Sequence, residues 1–270
     1  MPLKNAMEMK KWMLLALLMA GCVAMGHAQI KIGNRTINTK KVLNAASEVA
    51  SAITLSDEDV AALCRESVKW MDANNPVSAP ESAYSRRLDS LMKKVGDVEG
   101  LKLNYKVYEV VDINAFACGD GSIRVFSALM DLMNDDELMA VIGHEIGHVV
   151  HTDSKDAMKN AYLASAAKNA AGAAGGILEK LSDSQLGALA EALSGAQFSQ
   201  KQELEADDYG FEFTVKHGFD PYGMANALEK LNNLSDGQKS SMFQKMFSSH
   251  PDSAKRSARV KEKADAYVKK

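Results

Sequence analysis

Two histidines four residues apart, His144 and His148, with Glu145 between them, constrain this chain more than any other feature. On a helix, residues i and i+4 share a face, so both imidazoles can reach one cation. Glu145 falls one step around, beside that cation, where a base must stand to take a proton from a metal-bound water. The spacing H-E-x-x-H is the one used in metal-assisted peptide hydrolysis. Its flanks read as a helix. Asn134-Asp135-Asp136-Glu137 supplies a cap and an acidic first turn. Leu138, Val141, Ile142, Ile146 and Val149 then recur at helical, buried spacing. The alternative is an incidental pair on a surface helix, and those apolar flanks oppose it. Polar side chains inside a buried helix need a reason to be there, and a metal is one.

A catalytic metal of the zinc type takes three protein ligands and keeps a position open for water. His151 is near in sequence. At a rise of 1.5 Å per residue, however, His144 and His151 stand about 10 Å apart, too far to share a cation bound at about 2 Å. His151 therefore reads as a helix-end residue placed near the negative end of the dipole. The better candidate is Glu203, within Phe198-Ser199-Gln200-Lys201-Gln202-Glu203-Leu204-Glu205-Ala206-Asp207-Asp208. Glu203 and Asp207 are four apart and share a helix face. Glu203 can complete a His-His-Glu set, and Asp207 can accept from the outer ring nitrogen of a ligating histidine, fixing its tautomer. Taken alone, such an acidic run reads as a solvated face. The upstream histidine pair reverses that preference.

With these residues in view, the chain resembles the HtpX-like and CAAX-prenyl-protease-like gluzincin metallopeptidases. Within them it is nearest to the short cell-envelope branch of LoiP-like and BepA-like enzymes. The resemblance runs over about 82–259. It is carried by Asp112 to Ala117, His144 to His148, Gln202 to Asp207, and Ser249-His250-Pro251 followed by Arg256. It implies a largely helical α+β domain with a small three-stranded sheet and an H-E-x-x-H helix. It also implies one Zn2+ per chain held by His144, His148 and Glu203, with Glu145 as general base. Asn114, Ala115, Phe116 and Ala117 would form an edge strand to which substrate backbone adds. His250 would lie near the metal, either stabilising the oxyanion or blocking the site, and Arg256 would hold that region by charge pairing. Two features depart from the family. Cys118-Gly119-Asp120-Gly121 interrupts the strand after the Asn-Ala-Phe block, and the internal membrane spans of HtpX-type relatives are lacking. The implied activity is a zinc metalloendopeptidase acting on misfolded or unassembled envelope proteins, outer-membrane proteins among them. The other class to weigh is a zinc-stabilised chaperone or assembly factor that rarely cuts. An aminopeptidase is disfavoured, because no acidic pocket for a free amine is identifiable.

The amino terminus supports export. Lys10 and Lys11 precede an apolar run from Trp12 to Ala20, which ends in small residues at Gly26-His27-Ala28. A membrane span would need about 20 apolar residues, more than this run contains. Cleavage after Ala28 would give a soluble periplasmic product. Met19-Ala20-Gly21-Cys22 resembles a lipoprotein box, and lipidation at Cys22 would place the protein at the outer membrane. Residues 1–28 carry Lys4, Lys10, Lys11 and Glu8, so their removal takes the formal charge from −3 to −5. That mildly acidic balance argues against nucleic acid as a partner and limits membrane contact to a lipid anchor. Cys64 and Cys118 are then the remaining cysteines. In an oxidising compartment they read as a disulfide tying the amino-terminal helices to the sheet, with two separate buried thiols as the alternative.

The length of 29–270 suits one domain, with a helical amino-terminal part over 38–100 and a catalytic core over 104–268. Helices are expected at Asn38–Ala52, Ser56–Asn74 and Glu81–Val95. Short strands are expected at Tyr105–Val111, Asn114–Ala117 and Ile123–Phe126, with helix almost throughout from Ser127 on. Between the two ligand-bearing helices lies Ala161–Gly176, rich in alanine and glycine. It reads as a closely packed helix or a mobile lid, since each glycine weakens a helix by about 1 kcal/mol.

Overall fold

Short polar side chains open several helices of this chain, as the computed structural model shows. It describes residues 29–32, 35–38, 55–96, 98, 100–169, 181–237, 250 and 253–270. Strands β1 (Gln29–Ile32) and β2 (Arg35–Asn38) pair antiparallel. Helix α1 (Asp57–Asn74) opens on a capping box in which Ser56 and Asp59 satisfy each other's backbone N–H groups. Ser82 caps α2 (Ala83–Met92). Three short strands follow, β3 (Asn104–Tyr108), β4 (Ala115–Ala117) and β5 (Ser122–Phe126). The rest is helical among the described residues: α3 (Ser127–Leu132), α4 (Asp135–Val150), α5 (Asp153–Asn169), α6 (Asp183–Ser194), α7 (Gln200–Lys216), α8 (Gly223–Gly237) and α9 (Ser253–Val268). The architecture is the mostly helical α+β expected, and none of these helices is long and apolar enough to cross a membrane.

Two expected boundaries need adjustment, and an expected glycine turn finds its place. The β3 strand ends at Tyr108 rather than Val111, because the Val110 N–H turns back onto the Tyr108 carbonyl while the Val110 carbonyl accepts from Ser127 Oγ. Helix α2 is shorter than Glu81–Val95, since Ser82 sets its start and Lys93–Val95 form a turn. Cys118-Gly119-Asp120-Gly121 is the hairpin turn joining β4 to β5. Gly121 sits at φ 87°, where an added Cβ would meet the Lys102 carbonyl oxygen at 2.5 Å. Of the helix expected over Asn38–Ala52, Asn38 instead ends β2 and residues 39–52 lie outside the described residues. Cys22, the rest of 1–28, and 170–180 also lie outside them.

The sheet is mixed, in order β3-β5-β4, with β5 parallel to β3 and antiparallel to β4. Its pleat sorts side chains between two cores. Val107, Ala115, Ala117, Ile123 and Val125 face α4. Tyr108, Phe116, Cys118 and Phe126 join the cluster formed with α1, α5 and α6. The outer edge of β3 is covered by Pro76–Ser78, whose backbone bonds to Val107 and Glu109. That leaves β4 as the edge beside the helical half.

Helix α1 is fastened to the sheet by charge. Lys106, Tyr108 and Arg124 occupy neighbouring positions on one sheet face, and all three donate to the Asp72 carboxylate at 2.7–3.0 Å. Arg124 is 1 % exposed and also bonds Asn104, so its guanidinium is committed in the interior. Partial burial pushes the Asp72 carboxyl up, but Arg124, Lys106 and Tyr108 outweigh this and hold it at about 2. Helices α4 and α7 meet where side chains are missing. A Cβ on Gly210 would lie 3.0 Å from both the Ala140 oxygen and the His144 nitrogen. A Cβ on Gly147 would stand 3.2 Å from the Ala206 Cα.

Two outcomes follow from these contacts. A folded-state carboxyl that ionises more readily than the unfolded one contributes fully above about pH 4, and that contribution is lost as pH falls through about 2. Asp72→Asn should therefore lower unfolding free energy by about 2 kcal/mol at pH 7. In urea titrations the gap to wild type should close between about pH 4 and pH 2. Gly210→Ala should force α4 and α7 apart and cost about 1–3 kcal/mol in the same assay. An unchanged midpoint would show that the two helices are not closely packed.

Candidate metal centre

Asn134 and Glu137 form the capping box that starts α4, and from there the helix is buried through Val149. Its histidines project toward α7, whose own box is made by Ser199 and Gln202. Glu203 comes one residue later and Asp207 one turn beyond, and both are fully buried. The His144 and His148 Nε2 atoms lie 3.2 Å apart. Glu203 Oε2 stands 3.7 Å from the first, and Oε1 stands 3.6 Å from the second. Ligands bound to one tetrahedral zinc at about 2.0–2.1 Å stand about 3.3 Å from one another, so these three groups have the spacing of a first coordination shell.

Both outer nitrogens face carboxylates, and that of His148 is hydrogen-bonded. His148 Nδ1 donates to Asp153 Oδ2 at 2.8 Å, and His144 Nδ1 lies 3.0 Å from Asp207 Oδ1. A proton on each Nδ1 would face these carboxylates and leave both Nε2 atoms directed at the same spot. Arg256, from α9, grips Asp207 with a two-pronged fork, Nε to Oδ2 at 2.8 Å and a terminal nitrogen to Oδ1 at 2.6 Å. Its other terminal nitrogen pairs with Glu203. Burial raises Asp207, but Arg256 and then His144 hold it down at about 2. Burial acts on Glu203 in the same direction, and the His250 charge with the His148 and His250 contacts keeps it well below the usual carboxylate range. Burial lowers His144, whereas Asp153 and Glu203 overcome burial at His148 and raise it to about 9.

The charge count around this spot argues for a cation. Glu145, Asp153, Glu203 and Asp207 are four buried carboxylates, against one buried guanidinium, Arg256. Uncompensated buried charge is costly, and a divalent ion among the imidazoles would balance much of it. Glu145 Oε1 is buried with no hydrogen-bond partner among the described residues. That is the posture of a base awaiting a water. The donor set fits a metal.

His250 enters the same space. Its Nδ1 is 2.9 Å from Glu203 Oε1 and 3.3 Å from His144 Nε2, and its Nε2 is 3.6 Å from Glu145 Oε1. Donor atoms of His144, His148, Glu203 and His250 all fall within 4.8 Å of one another. The structure thus brings together His144, His148, Glu203 and His250 around one point, with Glu145 beside it and Asp207 and Arg256 behind it. His151 caps the carboxyl end of α4, away from the cluster.

Alongside runs β4. Cys118 N–H donates to the Ser122 carbonyl and Phe126 N–H to the Asn114 carbonyl, so Asn114, Phe116 and Cys118 turn their peptide groups toward β5. Ala115 and Ala117 turn theirs to the outer edge. The Asn114 side chain donates to the Ser194 carbonyl, and Ser154 Oγ donates to the Ala117 carbonyl, so both ends of the strand are tied. A narrow cleft lies along this edge, lined by β4, Glu145, His250, Ala157, Leu193 and Phe198.

Three residues here escape sequence reasoning: Asp153, Phe198 and Gln202. Asp153 lies just past the end of α4, where helical periodicity says nothing about direction. Phe198 stacks on the His148 ring, with centroids 3.8 Å apart and planes 18° from parallel. Gln202 closes the α7 capping box with Ser199, and its amide nitrogen also donates to Asp153 Oδ1 at 2.7 Å.

Comparison with known proteins agrees with this arrangement. The model of Peptidase family M48 matches residues 82–264. The chain is 41% identical to Metalloprotease LoiP of Escherichia coli (strain K12) over 245 residues, covering 90% of this chain and 96% of that one. It is 38% identical to Metalloprotease YcaL of the same organism over 228 residues, covering 84% and 88%. Against the Beta-barrel assembly-enhancing protease of that organism, identity is 35% over 162 residues, which is 57% of this chain and 33% of that protein. Two imidazoles, a carboxylate and a buried base in one cluster, inside a match of this extent, place the chain in peptidase family M48 as a metalloprotease.

Proposed function

We propose that the protein is a zinc-dependent metalloendopeptidase of the bacterial cell envelope, acting on misfolded or unassembled envelope polypeptides. The observation that carries the enzymatic part is the convergence of His144, His148 and Glu203 beside a buried Glu145 oxygen that has no hydrogen bond among the described residues. Zinc held there supplies Lewis acidity and lowers the pKa of a bound water. Asp207 and Arg256 keep His144 and Glu203 in place. Glu145 takes the proton of the attacking water at its carboxylate and returns it to the leaving amine. The outward peptide groups of Ala115 and the Ala117 N–H accept an extended chain as a further strand, which favours polypeptide without a demand for free ends. Cleavage within a chain rather than from its terminus is consistent with a cleft lined by small and apolar side chains.

Placement in the envelope rests on the export signal in 1–28 and on the similarity to a protease named for β-barrel assembly. In this reading residues 29–270 form one exported domain, either soluble in the periplasm or anchored through Cys22. Cys64 and Cys118 are both buried thiols in the structure. They stand close enough for the Cys64 contact, with burial second, to push the Cys118 thiol well up. An oxidising compartment would join them and tie α1 to the β4 turn. Denatured protein purified from that compartment should then show two more thiols with reductant than without, and equal counts would remove the bridge.

A second reading, an assembly factor with little proteolysis, is favoured by one observation. His250 occupies the space where a fourth ligand would sit, and a zinc with four protein ligands has no place for water. A casein-type digestion with zinc analysis separates the two. Glu145→Gln should retain zinc and lose at least about a hundredfold in turnover. His250→Ala should retain zinc and raise turnover where His250 blocks, or lower it where His250 stabilises the reacting oxygen. Chelator-sensitive cleavage absent from both wild type and His250→Ala would refute the peptidase reading of this site.

A further inference from the structure

The turn between α4 and α5 is strained, and its consequence is local. Helix α4 ends at Val150, His151 caps it, and Thr152 adopts φ 67°, a left-handed conformation that a β-branched residue rarely takes. Glycine is the usual residue at this position after a helix. The tight reversal lets Asp153, only five residues after His148, come back onto the Nδ1 of that ring.

Asp153 is itself held from another helix. Gln202 uses both ends of its amide. Its Oε1 accepts from the Ser199 N–H at 2.9 Å and from Ser199 Oγ at 2.8 Å, closing the α7 capping box. Its Nε2 donates to Asp153 Oδ1 at 2.7 Å, while Asp153 Oδ2 receives the His148 proton. Phe198, four residues earlier, covers a face of the His148 ring. Both are built on the segment that leads directly into Glu203. A histidine has one rotation that aims its Nε2 and one tautomer that leaves it bare, and these contacts select both.

We infer that Asp153 and Gln202 are positioning residues for His148: Gln202 locks the Asp153 carboxylate, and Asp153 fixes the ring and tautomer of the ligand. This rests on the metal-dependent reading above and adds to it. Helix α7 contributes the Glu203 carboxylate to the cluster and, through the residue before it, also sets the aim of a histidine on α4. Formation of the first turn of α7 therefore completes both parts of the donor set together.

The variant that isolates this linkage is Gln202→Glu. A carboxylate closes a capping box as well as an amide does, but it has no N–H to give Asp153 and places a like charge against it. Gln185 provides the matched control, because it closes the equivalent box with Ser182 at the start of α6. The full-length metal-free chain would be titrated with Zn2+ against a chromophoric chelator and with Co2+ by visible absorption, and its melting followed without metal.

Gln202→Glu and Asp153→Asn should bind Zn2+ about 10- to 100-fold more weakly and shift the Co2+ bands. The metal-free melting temperature of Gln202→Glu should fall, because a like charge replaces a hydrogen bond beside buried Asp153, and Gln185→Glu should match wild type in every readout. Wild-type affinity and an unshifted cobalt spectrum in both site variants would overturn the inference. So would an equal loss of affinity in Gln185→Glu, which would trace the effect to capping. A wild-type chain that takes up neither ion would instead remove the metal-dependent reading on which the inference rests.

Discussion

One guanidinium, that of Arg256, holds the architecture of this site together. It comes from the last helix and is almost fully buried. It divides its donors between Asp207, which it grips with a fork, and Glu203, which it pairs through the remaining nitrogen. Both carboxylates would be costly inside a protein without a partner. Because they sit one turn apart on α7, a single planar cation reaches both, which a lysine ammonium could not do with the same geometry. Three helices, α4, α7 and α9, are thereby coupled by charge at the point where the histidines converge.

The same logic of charge held in place recurs farther away. Asp72 gathers Lys106, Tyr108 and Arg124 on the opposite face of the sheet, and so fixes β5 against α1. Strand β4 hangs on β5, and Arg124 pairs in register with Phe116 on it. The position of the edge beside the cleft thus depends on an ion cluster that faces away from the cleft. Packing supplies the complementary half. Glycines at the α4–α7 contact let the two backbones approach until His144 and Glu203 stand within 4 Å.

Much of this was legible in the sequence, for identifiable reasons. The histidine pair, Glu203 and Asp207 are spaced by the helical repeat, and a repeat can be read without knowing where the helix goes. Caps such as Ser56 and Asn134 are equally local, so those helix starts were accessible to within a residue or two. Val110 and Val111 look like strand by propensity, yet the strand stops before them because a tertiary bond from Ser127 draws the backbone aside. Asp153, Phe198 and Gln202 remained hidden for a related reason. Their contacts depend on a reversal at Thr152 that breaks the usual preference for glycine, and on two helices meeting, and neither is written in any short window. His250 fell between these cases, since only the resemblance pointed to it and only the fold shows it among the donors.

Asp153 and its neighbour Ser154 give the α4–α5 joint a wider meaning. One residue holds the ring of a histidine, and the next bonds the last carbonyl of β4. The hydrolytic centre and the ledge on which a polypeptide would lie are therefore referenced to a single peptide unit. A displacement at this one joint would therefore disturb the anchor of the ring and the anchor of the strand together.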